Sequence, residues 1–265
     1  HFLSSAETRK KSLEFKRKRK AKTTSTQFGD DAYSKKRKDA AMWAKDPKDA
    51  DDRLRTKCGE VWRTASKSQR DAIQGYTNEY HNINEPLRGL PYIGSKAKAA
   101  RGLKRIPEIT DIINKSSYDF DMWLQRGDGM IALKKFGLSN WQTATDADIM
   151  GLLGKEGIEG AFWSAGTAKG KGFTGKDIIF NIYAPRGTKA MYCEPFSSYG
   201  NGSGRYWDGI AKQTSFSSES EILIQRGTKY KITKIEKNGG TWYIDVDIVE
   251  QNPLPFPYVG GYPYL

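Results

Sequence analysis

The chain is poor in the residues that build metal centres and nucleophilic triads: its 265 residues include two cysteines, Cys58 and Cys193, and two histidines, His1 and His81. Neither cysteine stands at a metal-ligand spacing, so the sequence offers no zinc site. Two cysteines also fall short of the disulfide framework of a small secreted fold. A Ser-His-Asp or Cys-His mechanism would rest on His81 alone, which lies in a helical pattern, and is set aside. Long apolar runs are missing too. Mean hydropathy is −0.72, and no stretch approaches the roughly 18 apolar residues of a transmembrane helix. The first residues lack the charged, apolar and small segments of a secretion signal, although a signal on a longer precursor would not be visible here.

Positive charge is what the chain has in excess, a net +13. Its distribution is uneven. Through residue 38, thirteen cations face Glu7, Glu14, Asp30 and Asp31, which leaves an ordinary +4 for everything after. Residues 1–40 therefore read as a basic N-terminal extension centred on Lys16-Arg-Lys-Arg-Lys20. Such a block serves a nucleic acid, a negatively lined channel or an anionic surface, or it is simply a solvated linker.

From residue 39 the pattern is helical. Ser66 or Ser68 offers an N-cap, and Ile73, Tyr76, Tyr80, Ile83 and Leu87 recur every three or four residues up to Pro86 and Gly89. Residues 93–105 read as a loop or short helix, and Pro107 as the first residue of a helix to Lys115. The periodicity then changes to two. Phe120, Met122 and Leu124 alternate with polar or bulky neighbours and put Arg126 on their face. Further strands are expected at 160–164, 178–183, 190–193, 221–225, 229–236 and 241–249, with Asn238-Gly-Gly240 as a hairpin turn. Helices first and antiparallel strands later give an α+β domain over 41–252, followed by a Pro/aromatic tail at 253–265.

Glu219 and Glu221 stand one residue apart at the mouth of the strand Glu221-Ile-Leu-Ile. On a strand, residues i and i+2 share a face, so two acids would emerge side by side at an electrostatic cost. That points to acid/base or cation-stabilising work, or else to a solvated Glu-Ser-Glu edge. Upstream, Arg126 ends one apolar strand and Ser164 follows the aromatic pair Phe162-Trp163. The order Arg126, Ser164, Glu219-x-Glu221 resembles the Arg-Ser-Glu signature of mono-ADP-ribosyltransferases, in the Glu-x-Glu form associated with arginine acceptors. Tyr80 and Asn84 lie in a segment similar to the helix before the catalytic Arg of the binary toxins. Residues from about 33 to 249, including Asn181-Ile-Tyr-Ala-Pro-Arg-Gly-Thr-Lys, look closest to the ADP-ribosyltransferase domains at the C-terminus of Mu-type phage minor head proteins. That resemblance implies a C-terminal piece of a larger protein, consistent with His1 in place of an initiator Met. It also implies a virion-associated effector, or one delivered into the cytoplasm of a target cell.

The resemblance implies a fold of two small packed, mainly antiparallel sheets around an NAD cleft, with NAD as substrate and no metal. Cleavage of the nicotinamide–ribose bond develops positive charge on the ribose, which a fixed carboxylate stabilises. By resemblance that carboxylate is Glu221, with Ser164 orienting it, while Glu219 holds the acceptor guanidinium of a protein target. Arg126 and Gly127 would meet NAD at the phosphate or ribose; an Arg paired with a surface acid is the plainer alternative. Phe173 would stack on nicotinamide and Lys176 would meet a phosphate, in place of the more usual Arg. Tyr80, Asn84 and Ser164 would also touch NAD, though Tyr80 equally suits a core face. Phe216, with Tyr206 and Trp207 nearby, would contact the target. The chain departs from the family's usual Ser-Thr-Ser with Ser164-Ala-Gly166, and Thr167 is the hydroxyl available as a replacement. Two other functions remain open: an NAD glycohydrolase, and a non-catalytic capsid module that binds nucleic acid through residues 1–40.

Overall fold

The computed structural model describes residues 25–90, 94–197, 204–217 and 219–254. The Lys16–Lys20 run and residues 255–265 of the tail lie outside the described residues. Helices come first: α1 (Lys35–Ala40), α2 (Pro47–Thr64), α3 (Lys67–Glu79), α4 (His81–Leu87) and α5 (Lys96–Asn114). Most of these starts are written locally, α4 having no side-chain cap. Asp46 caps α2 with Pro47 in its first turn, and Ser66 and Gln69 close a capping box on α3. Ile73, Tyr76, Ile83 and Leu87 are buried, as their spacing requires, whereas Tyr80 in the same stripe is 43% exposed.

Pro107 does not begin a helix; it lies inside α5. The Lys/Ala/Arg-rich stretch 96–105 is helical on its own propensity, and Ser95 caps it. Pro107 removes one backbone donor, but Ile106, Ile109, Ile112 and Ile113 are fully buried, and this apolar face carries the helix through.

The strands are β1 (Thr26–Gln27), β2 (Met122–Asp128), β3 (Glu156–Glu159), β4 (Trp163–Gly166), β5 (Ile178–Ala184), β6 (Ala190–Tyr192), β7 (Glu221–Ile224), β8 (Thr228–Asn238) and β9 (Thr241–Gln251). A short helix α6 (Asp146–Met150) precedes β3. Sheet order is β3-β8-β9-β5-β2-β4-β7-β6, with β1 on β9, and every pairing is antiparallel except β5 with β9. The two sheets that the resemblance implies are joined into one nine-stranded sheet through a single pair, Gln125 with Gly166, where β2 and β4 touch and then diverge. The site described below lies at that divergence.

Residues 25–40 belong to the packed structure, so the basic extension does not reach residue 40. Thr26 pairs with Gln251 across the β1–β9 ladder. Arg37 grips the buried Asp121 at 2.5 and 2.8 Å, and Lys38 grips the buried Asp247 at 2.6 Å. Two cations of the charge run thus neutralise interior carboxylates 84 and 209 residues away.

Candidate active site

Glu221 opens β7 and is buried, at 6% exposed. Gly166 faces it and Ser164 faces Leu223 across the β4–β7 ladder, so the Ser164 hydroxyl meets the Glu221 carboxylate and favours its charged form. The residue before it breaks the strand. Ser220 has φ of 46°, the left-handed region, and is fully buried. Strand alternation therefore does not pair Glu219 with Glu221; a left-handed turn does. Thr167 holds that turn, donating its N–H to the Ser220 carbonyl at 3.0 Å, with its Oγ1 2.8 Å from the same oxygen. Thr167 does supply a hydroxyl after Ser164-Ala-Gly, but to Ser220 and not to Glu221.

Arg126 projects from β2 beside the divergence. Its Nη1 donates to the Ser164 carbonyl at 3.0 Å, while Asp128 lies 3.9 Å from Nε. The guanidinium sits 5.0 Å from the Phe173 ring centroid. Phe173 is 44% exposed at a φ of 64°, a conformation uncommon outside glycine. Gly127 lets the Phe173 loop come this close: its N–H donates to the Gly172 carbonyl at 2.6 Å, and a Cβ on it would overlap the Phe173 carbonyl. Gln125 steadies the same loop by accepting from Gly170 N–H at 2.7 Å. Gly127→Ala should push the loop off Arg126 and raise the KM for NAD at least about tenfold with little change in melting temperature. An unchanged KM would show that the loop takes no part in binding.

From the helical side, Asn84 is buried and donates to the Tyr76 hydroxyl at 3.0 Å and the Phe162 carbonyl at 3.1 Å. Tyr76, read from sequence as a core residue only, is close enough to Glu221 for that charge, added to burial, to raise its pKa. Tyr80 stays half-exposed at the α3–α4 junction, its ring 6.3 Å from that of Tyr76. Lys176 is exposed and Phe216 half-buried, and neither is drawn into this cluster by a hydrogen bond. Tyr206 is 75% exposed. Trp207, expected on the target face, is instead 1% exposed: its carbonyl accepts from Trp62 Nε1 at 3.0 Å, and its own Nε1 donates to the Ala211 carbonyl at 2.9 Å. It anchors the loop to α2 and presents nothing outward. A separate depression of about 550 Å³ is lined by Met42, Arg53, Phe120 and Arg186 among others and contains none of these residues.

The model of the ADP-ribosyltransferase exoenzyme family matches residues 25–250. The chain belongs to that family. No protein with a curated description matches it. Among solved structures it is similar to Plx2a, an ADP-ribosyltransferase toxin from Paenibacillus larvae, with 21% identity, a TM-score of 0.61 and coverage of 79% of this chain and 99% of that one. It is also similar to C3stau2 from S. aureus with NAD, at 18% identity, TM-score 0.59, and coverage of 80% and 99%. The C3 exoenzyme of Clostridium limosum follows at 21% identity and TM-score 0.55, with 78% and 97% covered. At these identities the structures establish a shared fold.

The family's substrate is NAD, and the residues at the divergence fit it. Arg126 Nε and Asn84 Oδ1 are buried polar atoms without a hydrogen-bond partner among the described residues. One is a donor suited to a phosphate or ribose oxygen, the other an acceptor suited to a hydroxyl or amide. Phe173, 44% exposed, carries the Arg126 guanidinium against its ring. Among the described residues there is no cluster of His, Cys, Asp or Glu able to hold a metal, and no helix long and apolar enough to cross a membrane.

Burial pushes the Glu221 carboxyl up to about 7, with the charges of Glu219 and Glu194 adding to the rise and Ser164 and Arg126 opposing it. If the ionised form is the working one, NAD turnover climbs through pH 7 and falls roughly tenfold per unit well below it. A profile flat from pH 5.5 to 8 would rule out Glu221 as the controlling ionisation.

Proposed function

We propose that this protein is a mono-ADP-ribosyltransferase effector or toxin that transfers ADP-ribose from NAD to an arginine of a target protein and releases nicotinamide. The observation that carries this reading is the convergence of Glu221, Glu219, Ser164 and Arg126 where β2 and β4 part, from three segments separated in sequence. Arg126 and Asn84 bind the dinucleotide through their free polar atoms, and Phe173 covers the nicotinamide end. Lys176 is proposed to reach a phosphate from the exposed end of the same loop. Tyr80 lines the outer edge of the site.

Glu221 stabilises the positive charge that develops on the ribose as nicotinamide leaves with the bonding electron pair. Ser164 keeps that carboxylate oriented. Glu219 engages the incoming guanidinium and takes the proton released as a guanidinium nitrogen bonds to the ribose carbon. Arginine as acceptor is supported by the Glu-x-Glu spacing. Phe216 and Tyr206 are proposed to meet the target protein. Residues 1–24, which carry most of the charge run, would engage a nucleic acid or another anionic surface. The sequence likeness to phage minor head proteins supports association with a phage head or delivery into a target cell.

Incubation with labelled NAD and agmatine tests the reaction. Labelled agmatine is the expected product. Free ADP-ribose alone would redirect the reading to a glycohydrolase or a different acceptor, and no consumption of NAD would overturn it.

A further inference from the structure

A third carboxylate stands beside the Glu219–Glu221 pair, and neither the sequence motif nor the proposed chemistry accounts for it. Glu194 is fully buried. It follows β6, and because Tyr192 faces Ile222 and Cys193 N–H donates to the Glu221 carbonyl at 2.8 Å, Glu194 is level with Ser220. No cation pairs with it among the described residues. An interior carboxylate without a cation is costly unless hydrogen bonds hold its charge, so the arrangement calls for a purpose other than stability.

Both of its oxygens are committed to one residue. Ser217 donates its backbone N–H to Oε1, and its hydroxyl to Oε2 at 2.7 Å. With its proton spent on Glu194, the Ser217 Oγ has only lone pairs to offer, and it accepts from Glu219 N–H at 3.3 Å and Ser220 N–H at 3.2 Å. Buried charge thus orients a hydroxyl, and the hydroxyl orients the backbone from which Glu219 projects. Glu221 has further anchors outside this chain of contacts. It is held by the β4–β7 ladder, by Ser164 and by the Thr167–Ser220 bonds.

We propose that Glu194 is a positioning residue: acting through Ser217, it fixes Glu219 and so sets the share of ADP-ribose that reaches a guanidinium acceptor in place of water. The inference rests on the function proposed above. The chemistry it governs is that of the acceptor side, the capture of a protonated guanidinium, and it leaves cleavage of NAD to Glu221.

Ser217→Ala removes the bridging hydroxyl and leaves the Glu194 carboxyl with its bond from the residue 217 N–H; Glu194→Gln keeps the shape and removes the charge. Both should lower the ratio of agmatine labelling to free ADP-ribose at least about tenfold, because a displaced general base loses most of its benefit. They should differ in a second readout. The groups facing Glu221 are Glu219, Glu194, Arg126, Ser164, Tyr76 and Cys193. Removing the Glu194 charge therefore moves the rising limb of the hydrolysis profile to lower pH, and Ser217→Ala leaves that limb in place. A ratio unchanged in both variants overturns the proposal. Should the wild type label no agmatine, the function proposed above fails, and amide hydrogen exchange decides the positioning separately. Exchange at Glu219 and Ser220 that is at least about tenfold faster in Ser217→Ala supports it, and unchanged exchange overturns it.

Discussion

Glu221→Gln should lower NAD turnover by about a thousandfold while raising stability at pH 8. The rate loss follows from charge. Glutamine retains an acceptor for the Ser164 hydroxyl and nearly the same volume, but it cannot oppose the positive charge that develops on the ribose, and a preorganised electrostatic contact of that kind is typically worth about 10²–10³ in rate, or more. The stability gain follows from linkage. A carboxyl with an ordinary value of 4.5 in the unfolded chain and about 7 in the folded one is neutral in both states at low pH. Between those values the folded protein must keep a proton that the unfolded chain releases, so stability falls as pH rises through this window. Above it the accumulated cost is on the order of 3 kcal/mol at about 1.36 kcal/mol per unit. Glutamine never pays that cost. A stopped assay and a melting curve at pH 8 test the pair of effects. Turnover within tenfold of the wild type would remove Glu221 from the centre of the mechanism, and a lower melting temperature would mean the substitution had damaged the fold.

Where sequence sufficed, the controlling physics was local. The N-cap offered by Ser66 or Ser68, the Asn238-Gly-Gly240 turn and the two-residue alternation leading to Arg126 each occupy a few contiguous residues, and the elements they mark formed there, with Ser66 as the cap. The candidate site was legible for a different reason: Arg126, Ser164 and Glu221 lie at or within the ends of short apolar strands, and their order along the chain marks them. Distant partners defeated the rest. Arg37 and Lys38 read as part of a basic extension because nothing nearby reveals that Asp121 and Asp247 await them. Trp207 read as exposed because its partner, Trp62, is 145 residues away. Ser220 shows no glycine or asparagine to announce its left-handed backbone, so the acid pair was assigned to a strand face. Glu194, in Cys-Glu-Pro-Phe, matches no motif at all. Only the β6–β7 register brings it beside the site.

Glu219→Ala should separate the two halves of the proposed reaction, with agmatine labelling falling by about a hundredfold or more and NAD hydrolysis staying within about threefold of the wild type. Glu219 sits outside β7, beyond the left-handed Ser220, and is more exposed than Glu221. This leaves it free to meet an incoming acceptor. A guanidinium is protonated at any physiological pH and is a poor nucleophile until a base accepts its proton. Water needs no such help to capture the ribose, so hydrolysis survives. Burial also raises the Glu219 carboxyl, with Arg126 opposing the shift and Glu194 adding to it, which suits a group that must accept a proton and later release it. The variant carries a second signature. Glu219 is one of the charges that raise Glu221, so deleting it lets Glu221 ionise at lower pH and moves the rising limb of hydrolysis downward. Equal loss of hydrolysis and transfer would contradict the division of labour. An unshifted limb with transfer selectively lost would place Glu219 at the acceptor but electrostatically apart from Glu221.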